Sequence, residues 1–433
     1  MKRKLINSFI ILSASSAIAK IFSIANRMIL ARQLSNEAMA LYFLVMPTVS
    51  LCITLGQLGI PSAVFRLIAN PKYNNKKIII SALTISLFAC LIVMSTLLFS
   101  SRFISHSLLK NDEAFYPLLS LILFIPLVGI SGIIKNYFLA KQNVFLVAKA
   151  GFIEEASRLT FSFLMINYFS SLADTYLVTI AMLSMSIGEM ASIMYLLTRI
   201  NKRQILTLSK DEIYQHLQIR DMLDIAMPLT GSRLYQCLIS FLEPIVLVYV
   251  LTKVGLDQAT IHNQYAIISG YVISLLVTPT FFNNVIYRLI LPIITNDVVY
   301  HHIKAARYHL LMASIGSVLI SIPFTLMFYF FPEVCLQFLY NTSEGANYLQ
   351  YMAIPFTIYY LGTPLSALLQ ALNKNKIMFI ISIVQCSIEL ILVVFLSPYL
   401  NAFSIAVSTL IGIIFSIVAS MIVCFKYLFI TNK

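Results

Sequence analysis

The stretch "SASSAIAKIFSIANRMILAR", Ser13 to Arg32, has the length and apolar bulk of a membrane-crossing helix, yet Lys20 and Arg27 stand inside it. Ser13, Ser16, Lys20, Ser23 and Arg27 follow one another at spacings of three and four, which lays them along one face of a helix. Most other positions are Ile, Leu, Ala, Phe or Met. The pattern is a polar stripe on an apolar rod, the inverse of a water-soluble helix. A charge at the bilayer centre costs about 2.5–3.5 kcal/mol even on the gentlest scale. Lys20 and Arg27 are therefore expected to face a wet cavity or charged partners rather than lipid.

The rest of the chain supplies the membrane. Its 433 residues are 59 % hydrophobic and 11 % charged, with a mean hydropathy of +0.88, whereas soluble chains carry about 25 % charged residues. Twelve apolar runs fall at about 6–32, 39–66, 77–100, 116–140, 144–169, 175–199, 222–251, 262–291, 305–331, 346–371, 376–397 and 401–426. Each is long enough to cross about 30 Å of hydrocarbon. The prediction is an all-α polytopic membrane protein with about twelve transmembrane helices.

Basic residues set the expected orientation. With the N-terminus inside, nineteen of the thirty Lys and Arg fall on inner segments, four on outer segments and seven within spans. This predicts a cell-membrane protein with both termini in the cytoplasm. It also explains most of the +13 net charge as topology signal, without a nucleic-acid partner. The opening "MKRK" followed by Ala17-Ile18-Ala19 imitates a cleavable secretory signal, but the apolar run continues past Lys20, so it is read as a retained first span. The six cysteines are scattered with no C-x-x-C pair and are read as small buried hydrophobes. No cofactor, metal cluster or catalytic constellation is expected, and the chain is not read as an enzyme.

The strongest polar interruption, "TRINKRQILTLSKDEIYQHLQIRD" (Thr198–Asp221), suits a basic cytoplasmic linker with a short amphipathic helix. It divides the chain into an N-terminal six-helix lobe, 1–200, a linker, 201–221, and a C-terminal six-helix lobe, 222–433. The halves resemble each other. "FRLIAN" (Phe65–Asn70) matches "YRLILP" (Tyr287–Pro292), and Ala140/Ala371, Ile153/Val384 and Arg158/Glu389 share one offset. Two halves with an even number of spans insert the same way up, which predicts a pseudo-two-fold axis along the membrane normal. A cavity between two such lobes is a transporter plan.

Span 7 repeats the stripe of span 1 with Arg233, Gln236, Ser240 and Glu243 at spacings of three, four and three. Snorkelling to the interface fits Arg32, and it also suits Arg66 and Arg288 near their span ends, but not mid-span Lys20. Glu154 or Glu155 with Arg158 lie one turn apart and can pair. Glu243 is open to pairing with a base of span 1 or 8, while Glu189 and Glu389 read as lone acids suited to interhelical hydrogen bonds or cation relay. Glu243, Glu189 and Glu155 are the candidate coupling or cavity acids. Seven bases against five acids lie in the spans, and the excess gathers in spans 1, 2, 7 and 8. A cavity there would be positive and would concentrate anions, with Arg shaped to grip phosphate. The candidate substrate ligands are Lys20, Arg27, Arg66, Arg233 and Arg288, with Ser16, Ser23, Gln236 and Ser240 completing the polar faces. Nine prolines in or near spans, Pro126 and Pro355 among them, suit kinks in moving helices.

The stretch "KIFSIANRMILARQLSNEAMALYFLVMPTVSLCITLGQLGIPSAVFRLIAN" (Lys20–Asn70) resembles the opening of the lipid-linked oligosaccharide exporters of the MATE-like (MOP) flippase superfamily, of the stage V sporulation protein B type. Arg27, Leu30-Ala31-Arg32, Glu37, Tyr42, Pro47, Leu58-Gly59-Ile60-Pro61 and Arg66 match its pattern in order. "FIEEASRL" and "PLSALLQALNKNK" (Pro364–Lys376) resemble its span 5 signature and its span 10–11 turn. The resemblance implies two six-helix lobes around a central cavity that opens alternately to the two faces, working as a monomer. It implies an undecaprenyl-pyrophosphate-linked saccharide as substrate, with Lys20, Arg27, Arg66 and Arg288 as the nearest counterparts of cavity bases in related lipid II flippases. Those flippases usually have fourteen spans, and the twelve here fit polysaccharide-unit flippases better. Other readings are a cation-coupled multidrug antiporter, whose span 1 face should be acidic, and a non-transporting scaffold. A membrane sugar polymerase would need long outer loops, and those near 101–115 and 332–345 are short.

Overall fold

The computed structural model describes residues 20–69, 74–199 and 219–430. Among the described residues the secondary structure is helical throughout, without strands. The first half consists of α1 (20–33), α2 (Asn36–Gln57), α3 (Ile60–Ala69), α4 (Asn75–Phe103), α5 (Phe115–Ala140), α6 (Val144–Tyr168) and α7 (Asp174–Leu197). The second half runs through α8 (Ile219–Val254), α9 (Gln258–Tyr265), α10 (Ser274–Val277), α11 (Thr280–Val299), α12 (Ile303–Phe330), α13 (Pro332–Tyr340), α14 (Ala346–Ala353), α15 (Gly362–Ala371), α16 (Asn375–Leu400) and α17 (Phe403–Phe425). The predicted linker lies almost wholly outside the described residues, as do Ser16 and the imitation cleavage site at Ala19.

Eight helices are long and apolar enough to cross a membrane, and two bent pairs raise the number to ten. The other two of the twelve predicted spans are α1, whose start lies outside the described residues, and α6. Glu154, Glu155 and Arg158 fall in every eighteen-residue stretch of α6, so its charge masks an otherwise apolar helix. The chain is a multi-pass membrane protein.

Three predicted spans are broken. The second stops at Leu58 and restarts at Ile60, because Leu58 and Gly59 both take left-handed backbone, at φ 43° and 65°. Glycine is needed at 59 twice over. The conformation favours it, and a Cβ there would lie 2.9 Å from the Ala226 carbonyl oxygen of α8. The eighth span bends by 42° between α10 and α11 and the tenth by 55° between α14 and the following Pro355–Ala371. Pro279 and Pro355 stand at these bends, where their missing N–H and ring interrupt the helix. Pro47, Pro126 and Pro323 lie inside continuous helices. The two bends meet: Tyr360 donates its hydroxyl to the Leu276 carbonyl at 2.6 Å, and Asn283 Nδ2 donates to the Tyr360 carbonyl at 3.4 Å. Broken helices in lipid need such partners for their freed backbone groups.

By its contacts the chain falls into two compact units, Met1–Phe241 and Leu242–Lys433, with the division inside α8. In the first unit, Ile60, Val64 and Leu67 of α3 pack with Ile78 and Ala82 of α4, Ile133 of α5, and Met222 and Ala226 of α8. Lipid is as apolar as these side chains, so close van der Waals fit rather than water exclusion holds such helices together. Small residues make that fit: a Cβ on Gly129 would lie 2.8 Å from Ser86 Oγ, and one on Gly132 2.9 Å from Pro61. In the second unit α16 and α17 pack side by side, with Ser397 and Ser404 hydroxyls 2.9 Å apart.

Candidate functional site

The charged centre of the first unit is built on three helices. One turn apart on α6, Arg158 Nη2 donates to Glu154 Oε1 at 3.1 Å and Nη1 to Glu155 Oε1 at 3.2 Å, the local pairing that the spacing allows. From α5, Lys135 Nζ donates to Glu154 Oε2 at 2.5 Å and to Glu189 Oε2 of α7 at 3.1 Å. Glu189 is buried. Glu189, alone as an acid along its own span, takes part in an interhelical hydrogen bond, the role its position suits. Lys135 was not singled out as the hub, although it is the only charge within α5. A lone cation in an apolar helix requires an acid nearby, and that was the available signal. Gly188 brings α7 close enough: a Cβ there would lie 2.8 Å from the Glu154 carbonyl oxygen.

These five side chains carry three negative charges and two positive. Lys20 adds a third base within electrostatic reach of this group. It is half-buried on α1 and interacts electrostatically with Glu155 and with Arg27. Two contacts hold α1 on α6. Ser162 Oγ donates to Asn26 Oδ1 at 2.7 Å, both side chains buried, and the Phe22 ring stands edge-on to Phe152 at 5.1 Å. On α1, Lys20 thus has both a base and an acid as electrostatic neighbours. Ser23 and Arg27 are half-buried on the same helix, and Arg66 is exposed in the last turn of α3. Arg233, Gln236 and Ser240 are exposed along α8. Arg288 belongs to α11, and its side chain lies outside the described residues.

The second unit holds a different centre. Among the described residues the charged neighbour of Glu243 (α8) in this unit is another acid, Glu389 of α16. Gln385 Nε2 donates to Glu389 Oε1 at 3.0 Å. Tyr265 interacts electrostatically with Glu243, and Tyr359 with Glu389. Gly412 of α17 makes room for the Glu389 side chain, since a Cβ there would lie 2.5 Å from its Cγ. Among the described residues no ion pair reaches either acid. A cavity of about 250 Å³ lies beside Gln385, lined also by Thr280, Tyr359, Thr363, Ser366 and Ser416. This polar hollow is not legible along the chain, because its residues come from four separate spans.

Helical units carrying buried charge inside an apolar shell define a polytopic membrane protein, and solved structures share the fold. A multidrug resistance MATE family transporter of the MOP superfamily, solved in an inward-facing conformation, superposes with a TM-score of 0.72 at 13 % identity, over 98 % of this chain and 100 % of that one. A MOP superfamily transporter from Pyrococcus furiosus, described by the reverse polarity of its binding pocket, gives 0.66 at 14 % identity over 97 % and 94 %. Residues 5–296, more than half of the chain, match the polysaccharide biosynthesis protein family, and the chain belongs to it. It is similar to stage V sporulation protein B of Bacillus subtilis (strain 168), at 26 % identity over 95 % of this chain and 82 % of that one. Sporulation protein YkvU of the same organism is 23 % identical over 86 % and 84 %. The protein is a multi-pass membrane member of that family with the fold of the MOP superfamily transporters.

Proposed function

We propose that the protein moves an undecaprenyl-pyrophosphate-linked oligosaccharide, a polysaccharide repeat unit or a peptidoglycan precursor, from the inner to the outer leaflet of the cell membrane by alternating access. One observation carries this reading: a polysaccharide-biosynthesis family chain whose first span bears a basic polar face, Lys20 and Arg27. Arg27, Arg66, Arg233 and Arg288 with Lys20 would bind the pyrophosphate, since guanidinium forks match its oxygens. Ser16, Ser23, Gln236 and Ser240 would meet the sugar hydroxyls, while the polyprenyl chain stays in lipid. The working unit is a monomer of two six-helix lobes, 1–200 and 222–433, with a basic linker at 201–221 and both termini in the cytoplasm. Glu243, paired with another acid, is the foremost candidate for coupling transport to a cation, ahead of Glu189 and Glu155, which already have basic partners.

The test is export itself. Arg27→Ala and Arg233→Ala should each leave a folded, inserted protein and cause the lipid-linked saccharide to accumulate on the cytoplasmic face. Normal export by both variants would overturn the reading. The same acid pair favours a second reading, a cation-coupled multidrug antiporter on this fold. That reading predicts gradient-driven efflux of organic cations by vesicles holding the wild type, with lipid-linked sugars unmoved.

A further inference from the structure

We infer that the second unit carries a site for one anionic phospholipid, of the phosphatidylglycerol type, between the start of α12 and the end of α17. A cavity of about 800 Å³ opens there. Leu311 and Ile315 of α12 and Met421 and Phe425 of α17 wall it, and all four are exposed to whatever fills it. At one end stand Arg307 and Lys426. The first lies in the second turn of α12 and the second directly after α17, near the start of one candidate span and the end of the other. From Arg307 to Ile315 the groove follows α12 for about 12 Å at 1.5 Å per residue. No acidic side chain lines it among the described residues.

A basic mouth over an apolar throat is the complement of a lipid with a net-negative headgroup. A zwitterionic headgroup would bring its own cation against the two bases, whereas an anionic one brings only opposite charge to them. Arg307 is held in place for this, as its Nε donates to the Leu428 carbonyl at 3.0 Å and Nη2 donates to the same oxygen. Capping that helix end explains the position of Arg307, but neither the hollow nor Lys426 at its mouth. The inference does not depend on what the protein transports.

The test reads bound lipid without any transport assay. Full-length protein is equilibrated in bilayers of equal phosphatidylglycerol and phosphatidylcholine, and retained lipids are counted by native mass spectrometry. The wild type should keep one phosphatidylglycerol in preference to phosphatidylcholine. Lys426→Gln should reduce that preference about fivefold, the worth of one basic side chain at a membrane surface. Ser314→Trp, which fills the throat and leaves both charges, should remove the bound lipid. Equal retention of the two lipids overturns the inference, as does unchanged retention in Lys426→Gln, an exposed position where folding is not at stake. Displacement of phosphatidylglycerol by a polyprenyl phosphate at equal concentration would overturn it too, and would make the groove part of a substrate path. Loss of export with intact lipid retention, or the reverse, separates this site from the proposed function.

Discussion

The Lys135 ammonium lies 3.1 Å from the Glu189 carboxylate, joining α5 to α7, and Glu154 closes its other side at 2.5 Å. These side chains are only 20 %, 8 % and 13 % exposed, too little for water to replace a missing partner. In that setting a pair is felt most when half of it is removed, because the remaining charge is stranded. Lys135→Met should therefore destabilise the protein by about 3–5 kcal/mol, read as a lower unfolding midpoint in detergent. Lys135→Met with Glu189→Leu should regain much of the loss. If the double variant is no better than the single one, Glu189 is not the partner that matters.

Gly188 sets the separation of α6 and α7 at the same centre. With the Glu154 carbonyl oxygen 2.8 Å from where a Cβ would stand, the helices must part to admit one. Gly188→Val should cost about 1–3 kcal/mol, the usual range for overpacking. Glu189 would then move away from Lys135. Thermal unfolding measures the first effect, and a reduced penalty for Lys135→Met in the Gly188→Val background measures the second.

Asp257 lies outside the spans and caps α9, accepting a hydrogen bond from the Thr260 amide at 3.0 Å and another from its hydroxyl at 2.5 Å. The Thr260 bonds hold its carboxyl below the ordinary aspartate value. A lowered carboxylate pKa stabilises the fold above the unfolded value, and that contribution is lost as pH falls through the folded one. Amide exchange at Thr260 should thus be slower in the wild type than in Asp257→Ala at neutral pH. The difference should disappear in acid, below the ordinary aspartate range. A difference that persists there would show that the carboxylate is not the cap.

How much of this was written in the sequence divides by physical cause. Hydropathy located all twelve helical stretches, because crossing lipid demands a long apolar run and nothing else tolerates one. The three-and-four spacing of Lys20, Ser23 and Arg27 identified a charged face for the same reason. The break at Leu58-Gly59 was invisible to hydropathy: both flanking helices are apolar, and only the backbone turns. Partners were harder still. Nothing local ties Lys135 to Glu189, 54 residues away, or Glu243 to Glu389, so an acid that reads as solitary along the chain can be neutralised, or doubled, across it.

Gly412 and Glu389 offer a test of that second centre. A Cβ at 412 would meet Glu389 Cγ at 2.5 Å and its carboxyl carbon at 2.8 Å, so Gly412→Ala must push the acid from its contact with Gln385. The substitution should cost about 1–3 kcal/mol. Shortening the obstacle with Glu389→Ala should return most of it, giving a coupling energy of about 0.5–3 kcal/mol in a double-mutant cycle. Additive losses would mean that the two side chains do not share the space.

Glu243 carries the last prediction. Among the described residues its charged neighbour within the second unit is Glu389, and like charges that interact in apolar surroundings repel. On the proposed function, a bound proton or metal cation would relieve that repulsion and so tie the occupancy of this centre to the ion gradient. Glu243→Gln keeps the shape, removes one charge and leaves nothing to titrate at that position. Export by this variant should lose its dependence on a proton or sodium gradient, while binding of the pyrophosphate substrate at the basic residues stays near the wild-type level. Measuring export in vesicles with each gradient imposed in turn decides it. Gradient-driven export that is unchanged in Glu243→Gln would place the coupling elsewhere, and Glu389→Gln would then be expected to behave as wild type as well.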